Sequence, residues 1–335
     1  MSGARRPRDE QPPRVTLVVP GGLRSSSGGN VYDRIMVEAL RASGWTVVVT
    51  EDPPDATDDI VVLDSLAIPA GVPPGVDRPI ALLHQLPSEA NDRPDGRDAE
   101  RGVLRAAALV VTVSRHLADR VSRETDARVV VVSPGWDRAC ADRRADDGSV
   151  LCVAHAGPRK GVGDAIAAFE RAHLDGARFR LAGDHRRDPR EAERIDAFAA
   201  ALGRDLVLEG VLDAASLAER YAGARVFVSA SRYEGWPIAV AEAMASGVPV
   251  VAFDVAGVRE LVRHEEDGLL VPVGDVEGLA QALGRVWSDA TLRDRMGRSA
   301  RARARSWPTW RDASRRFVEA LGSVAHDGRH RTGAA

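Results

Sequence analysis

Short apolar runs alternate with stretches of helical period along most of the chain. VTLVVP (15–20), TVVVT (46–50), DIVVLDS (59–65), IALLHQ (80–85), LVVTVS (109–114) and RVVVVSPG (128–135) are short apolar runs that predict buried strands. After the first of them comes VYDRIMVEALRASG, with Ile35, Met36, Ala39 and Leu40 at helical spacing and Gly44 as its stop. Runs that are apolar on both faces and separated by helices predict a parallel sheet covered on both sides. The first domain therefore reads as α/β and doubly wound.

A second series starts at VLCVAHA (150–156) and continues through FRLAG (179–183), LVLEG (206–210), RVFVSAS (225–231), VPVVAFD (248–254) and GLLVPVG (268–274). GDAIAAFERAH and AASLAERYAG supply helical patterns between these runs. WDRACADRRADDG (136–148) is polar and without period, and predicts the interdomain linker. The boundaries predicted are 14–138 for the first domain and 149–305 for the second, with the amphipathic segment 306–322 packing back on the first. Residues 1–13 and 325–335 predict disordered tails. Two domains suit a chain of 335 residues. Sheets of this kind bind ligands outside the carboxyl ends of their strands.

Composition narrows the partners. A net charge of −3 argues against nucleic acid or an anionic membrane as a bulk electrostatic partner. No run approaches the length of a transmembrane helix, and the start MSGARRPRDEQPPR lacks the apolar core of a secretory signal, so a cytoplasmic location is expected. Cys140 and Cys152 offer neither a disulfide framework nor metal-ligand spacing. The chain carries 46 basic Lys and Arg residues, and Lys160 is the only lysine among them.

The sharpest chemical signal is SASRYEGWPIAVAEAMASGVPVVAFD (229–254). Pro237 suits a first helical turn and Gly247 a C′ position, which predicts a helix over about Pro237–Ser246. Glu234 then precedes the helix, Glu242 lies about one and a half turns inside it, and the helix start with Gly235 offers N–H donors to an anion. A carboxylate such as Glu242 can accept two hydroxyls of a sugar diol. As bare residues, Glu234 reads equally as a helix-start acid and Glu242 as a solvated one.

This segment resembles the E-x7-E region of retaining, nucleotide-sugar-dependent glycosyltransferases of the family-4 type, with Glu234 and Glu242 on the two glutamates and GWPIAVAEAMASGVPVVA along the pattern. The resemblance implies the GT-B fold, two Rossmann-like domains facing a central cleft. It implies that Glu234 and the backbone of Gly235, Trp236, Pro237 and Ile238 meet donor-sugar hydroxyls, and that Glu242 holds the ribose diol. VAHAGPRKG (153–161) is similar to the family's G-R-L-x-P-x-K-G stretch, whose arginine and lysine neutralise the diphosphate. Lys160 falls on the lysine and Pro158 keeps its place, whereas His155 stands where the arginine is expected, with Arg159 as a substitute cation. Histidine in place of arginine removes a planar, permanently charged fork. SGG (27–29) resembles the glycine loop near donor phosphates or acceptor, where Gly28 and Gly29 allow close approach. His84, at the end of IALLHQ, corresponds to a histidine that contacts the donor sugar near the reacting carbon; a lone histidine there also reads as structural. Glu209 and Val211 near a strand end are candidates for the nucleotide-base region. The likeness spans roughly residues 14–322 and is more specific in the second half.

The resemblance implies front-face transfer with retention from a UDP- or GDP-sugar, UDP before GDP, with Lys160, Glu234 and His84 as the catalytic residues. No D-x-D-like metal element stands in the appropriate place, so no metal and no cofactor beyond the donor substrate are expected. A dinucleotide-binding dehydrogenase would need G-x-G-x-x-G after the first strand, and GGLRSSSGG lacks that spacing. The alternatives are a nucleotide-sugar 2-epimerase of the same fold and a non-catalytic nucleotide-sugar-binding module. A lipid acceptor would want a basic, aromatic amphipathic face on the first domain. The Arg34/Arg41 helix also carries Asp33 and Glu38, and Trp45 is the one tryptophan well inside that domain. A small soluble acceptor or natural-product scaffold is expected, with peripheral membrane association disfavoured.

Overall fold

The computed structural model describes residues 12–24, 27–54, 59–90, 96–136 and 146–332, with side chains through His326. Most of the predicted tail 1–13 and most of the predicted linker, Cys140 included, lie outside the described residues. The chain divides into two units, one of residues up to Gly135 together with those from Pro308 onward, the other Trp136–Trp307.

The first unit runs β1 (Arg14–Val18), α1 (Gly28–Ala42), β2 (Thr46–Thr50), β3 (Ile60–Asp64), β4 (Ile80–Leu83), α2 (Pro87–Ala90), α3 (Arg97–Ala106), β5 (Leu109–Thr112), α4 (Arg115–Val121) and β6 (Arg128–Val131). The second runs β7 (Ser149–Val153), α5 (Val162–Ala172), β8 (Arg178–Ala182), α6 (Pro189–Leu202), β9 (Leu206–Gly210), α7 (Ala214–Gly223), β10 (Val226–Ser229), α8 (Ile238–Ala245), β11 (Val250–Phe253), α9 (Ala256–Arg259), β12 (Gly268–Val271), α10 (Val276–Ser288) and α11 (Ala290–Ala304). A last helix, α12 (Trp310–Thr332), returns to the first unit and packs along α1. Its backbone stays helical to Thr332, beyond the expected start of a disordered tail at 325, because extending a formed helix costs far less than nucleating one.

Each unit holds a six-stranded, all-parallel sheet, ordered β2-β1-β3-β4-β5-β6 and β12-β11-β10-β7-β8-β9. In the second, strands grow outward from β7 on one side and from β10 on the other, the dinucleotide-type order. Its switch point therefore lies between β7 and β10. In the first unit the direction reverses between β1 and β3, so its switch point lies there.

Alternation along the strands explains why their sequences are apolar throughout. Val226 and Val228 of β10 join one core layer with Ile166, Phe179 and Leu283, while Phe227 between them joins another with Tyr221, Val240 and Met244. The edge strands β2 and β6 are only partly covered. In the first unit, buried Tyr32 stands edge-on to Phe317 and Trp310 at 6.3 and 6.1 Å, and its hydroxyl donates to the Val132 carbonyl at 3.0 Å. This cluster seats α12 on α1.

Candidate functional site

Lys160 and Glu234 occupy the loops that follow the two strands flanking the second unit's switch point. After β7 the chain makes a single 3₁₀ turn, Pro158–Lys160, and enters α5 through Gly161 at φ +58°. A β-carbon on Gly161 would sit 2.1 Å from the Ala230 carbonyl oxygen, so the lysine loop lies directly against the loop that follows β10. The Arg232 N–H donates to the Arg159 carbonyl at 2.8 Å and ties the two loops a second time. Gly161→Ala combines a left-handed backbone with a clash against backbone, and is expected to destabilise the second unit by more than about 1 kcal/mol. Denaturant unfolding of that variant, with a lowered midpoint, checks this.

The approach puts the lysine on the glutamate. Lys160 Nζ donates to Glu234 Oε1 at 2.6 Å, and Arg159 Nη1 donates to the Tyr233 carbonyl at 2.8 Å and reaches Glu234 Oε2 at 3.5 Å. Glu234 is buried, at 7% exposure, which excludes a solvated helix-start acid. Burial raises its carboxyl, but the charges of Lys160 and Arg159 and the hydrogen bonds from Lys160 and Ser231 outweigh that and hold it below the usual carboxylate range. Lysine and glutamate thus neutralise each other at the mouth of the switch point, with Arg159 leaving the group one net positive charge.

Helix α8 starts one residue later than predicted. Pro237 serves as its N-cap rather than its first helical residue, and Gly247 at φ +73° follows the Ser246 C-cap. Ile238, Gly235 and Trp236 lie around this start, with Gly235 and Pro237 buried and Ile238 and Trp236 half-buried. The sequence of α8 is apolar on nearly every side, as a buried helix demands. Glu242 is its one charge, 8% exposed, and its Oε2 accepts the Tyr221 hydroxyl at 3.0 Å. A buried carboxylate without such donors would cost several kcal/mol, so the reading of Glu242 as a solvated helix residue is also excluded.

His155 follows β7 and is half-buried; its Nδ1 accepts the Asp184 backbone N–H at 2.9 Å. With Nδ1 an acceptor, the ring is the Nε2–H tautomer. Burial and then the Arg187 charge push its imidazolium down, with Lys160 adding to the effect and Asp184 opposing it. His155 therefore carries no charge at neutral pH and is a hydrogen-bond donor where a cation was expected. Glu209 in β9 has both oxygens held, by Arg180 at 2.6 Å and by Arg220. Val211 beyond it is 59% exposed.

The first unit carries a separate polar cluster. Gly28 and Gly29 are not in a loop: Ser27 caps α1 by accepting the Asn30 N–H, and the two glycines form the helix's first turn. The earlier start arises because a serine cap satisfies an otherwise orphaned donor. His84 follows β4, with its side chain 15% exposed, and its Nε2 lies 2.9 Å from Asp33 Oδ1 and 3.3 Å from Asp64 Oδ2. Burial pulls the imidazolium down, but the Asp33 charge and hydrogen bond and the Asp64 charge raise it to about 9. Asp64 is itself raised to about 6, by burial and by Asp33 against the opposing pull of His84 and the Leu66 and Ser65 N–H groups. His84 is thus an imidazolium between two buried carboxylates. Asp33, Asp64 and His84 are also the one group among the described residues whose ligand atoms, all within 4.8 Å, could hold a metal ion.

Asp33, Asp64 and Tyr221 escaped the sequence reading. Asp33 shares the helical stripe of Met36, Val37 and Leu40, so an acid stood at a core position. Asp64 ends an apolar run at the carboxyl end of a predicted strand. Both patterns signal a paired buried acid, and neither names the partner.

The family model described as Glycosyl transferases group 1 matches residues 147–289, within the second unit. Each unit is a six-stranded parallel sheet with helices, the domain type of the GT-B fold class. The chain is 33% identical over 215 residues to the 2-deoxystreptamine N-acetyl-D-glucosaminyltransferase of Streptomyces fradiae, covering 57% of this chain and 50% of that protein. It is 36% identical over 234 residues to the D-inositol 3-phosphate glycosyltransferase of Acidothermus cellulolyticus, covering 61% and 51%. The chain thus spans about half the length of these curated relatives. The crystal structure of Anabaena HepE in complex with UDP-glucose superimposes with a TM-score of 0.77 at 17% identity, over 92% of this chain and 99% of that one. Among the described residues no helix is long and apolar enough to cross a membrane.

Proposed function

We propose that the chain is a retaining, metal-independent glycosyltransferase of the family-4 type that transfers a sugar from a nucleoside-diphosphate sugar, UDP- before GDP-, to a hydroxyl of a small soluble acceptor in the cytoplasm. The observation that carries this reading is the Lys160–Glu234 pair, 2.6 Å long, set at the β7/β10 switch point beside the start of α8.

As the glycosidic bond breaks, negative charge grows on the departing diphosphate. Lys160 and the N–H groups at the start of α8 stabilise that charge from fixed positions. Glu234, with its ion pair opened by the arriving phosphate, turns its oxygens to the sugar hydroxyls. Glu242, oriented by Tyr221, accepts the ribose diol, and Val211 lies toward the base. A departing phosphate oxygen takes the proton of the attacking hydroxyl, which comes from the face the phosphate leaves. His84, as a charged donor on the first unit, is assigned to the sugar on the strength of the resemblance. The HepE complex with UDP-glucose supports a UDP-type donor. Both curated relatives are named for small polyhydroxylated rings, which supports a small cyclitol-like acceptor.

The test is nucleoside-diphosphate release from a panel of UDP- and GDP-sugars, with and without small polyol acceptors and in the presence of a chelator. Release that needs both substrates and survives chelation is expected. Conversion of donor alone would point to an epimerase, and binding without turnover to a non-catalytic module; either result overturns the transferase reading.

A further inference from the structure

The loops after β7, β8 and β10 carry five Lys or Arg side chains, and four of them already have a carboxylate. Lys160 is 2.6 Å and Arg159 3.5 Å from Glu234, Arg232 is 2.6 Å from Asp164, and Arg186 is 3.4 Å from Asp196. Arg187 has no carboxylate within ion-pair distance among the described residues, and it is exposed. A cation that folding leaves unpaired keeps its full charge for a ligand.

The loop that bears Arg187 is fixed against the lysine loop. The Ala156 N–H donates to the Asp184 carbonyl at 2.9 Å, and the Asp184 N–H donates to His155 Nδ1 at 2.9 Å. Gly183, at φ +140°, makes the turn; a β-carbon there would lie 2.1 Å from the Ala154 carbonyl oxygen. At the far end, Asp188 caps α6 by accepting the N–H groups of Arg190 and Glu191, both at 3.0 Å. Only three residues, 185–187, span the interval between these anchors. Arg187 stands close enough to His155 for its charge to act on that ring, as does the charge of Lys160.

We propose that Arg187 is a further diphosphate-binding residue of the donor site, supplying beside Lys160 the second positive charge that His155, its Nδ1 committed to Asp184, does not supply. The proposal rests on the nucleotide-sugar reading of that site. Its chemistry is the same: Arg159, Lys160 and Glu234 together offer a single net positive charge, and a diphosphate carries more than one negative charge. An arginine reached from the β8 loop brings a planar fork that can meet two phosphate oxygens.

The test is calorimetric titration of UDP and GDP into the full chain and its Arg187→Ala, Arg187→Lys and Arg186→Ala variants at two salt concentrations. Arg187→Ala is expected to weaken binding about tenfold or more and to reduce its salt dependence. Arg187→Lys recovers part of the loss, because charge rather than packing is at stake. Arg186→Ala, a neighbour engaged with Asp196, stays within about threefold of the parent, as expected for an exposed ion pair. Tight binding by the parent that Arg187→Ala leaves unchanged overturns this proposal alone. A parent chain that binds neither nucleotide overturns the donor reading and the proposal with it.

Discussion

Replacing Lys160 by alanine is expected to lower turnover by roughly 10²–10³-fold, the loss that follows removal of one preorganised donor to developing negative charge. The same change touches stability, because Glu234 is buried and loses its 2.6 Å partner. Arg159, 3.5 Å away and attached to the same loop, can close on the carboxylate, so the cost stays near about 1–3 kcal/mol. Adding Glu234→Gln to Lys160→Ala removes the uncompensated charge and is expected to return most of the stability but none of the turnover. Lys160→Arg retains the charge and still impairs turnover, because a broad fork does not fit where a compact ammonium meets Glu234 and a phosphate in turn. Steady-state kinetics beside thermal unfolding of the same variants separates the two effects. Near-normal turnover in Lys160→Arg contradicts the requirement for lysine.

The second large effect belongs to the first unit. His84→Ala leaves Asp33 and Asp64 as buried carboxylates without the cation that separates them, and is expected to cost roughly 3–5 kcal/mol. In the intact protein the same cluster makes stability depend on pH. His84 binds its proton more tightly in the folded state, at about 9 against 6.5. Its contribution, about 3 kcal/mol, is therefore fully present below about pH 6.5 and is lost as pH rises through 9. Asp64 is raised in the same sense, from 3.8 to about 6, so its share is lost earlier, as pH rises through 6. The melting temperature should fall between pH 7 and 10, and less steeply in His84→Gln; a parent curve that is flat or rising over that range contradicts the imidazolium assignment.

Much of the architecture was legible because parallel strands covered on both faces must be apolar throughout: nine of the twelve strands among the described residues lie within predicted runs, and β1, β7 and β8 begin one residue earlier. The strand orders were not legible. Whether β3 pairs with β1, and β10 with β7, depends on which helices cover which face, and no local pattern encodes it. Glu234 and Glu242 could be singled out by the helix start beside them, Lys160 as the only lysine of the chain, and all three by the resemblance. Their relationship was hidden: Lys160 and Glu234 are 74 residues apart, and their ion pair is created by two loops meeting at Gly161. The resemblance puts His155 where an arginine is expected, yet what lowers its imidazolium, burial and the Arg187 charge, together with the Asp184 N–H on its Nδ1, follows only from the fold. The resemblance put Gly28 and Gly29 in a glycine loop, whereas Ser27 as a cap sets them in the first turn of α1.

In the proposed function, the β7/β10 switch point holds a nucleotide sugar by its diphosphate through Lys160. A crystal structure of the full chain with a UDP-sugar, or with whichever nucleotide sugar binds best, tests it directly. The expected result is a diphosphate within hydrogen-bond distance of Lys160 Nζ, Glu234 released from the lysine and turned to the sugar, and Glu242 on the ribose. A nucleotide seated elsewhere, with Lys160 still closed on Glu234, would contradict it.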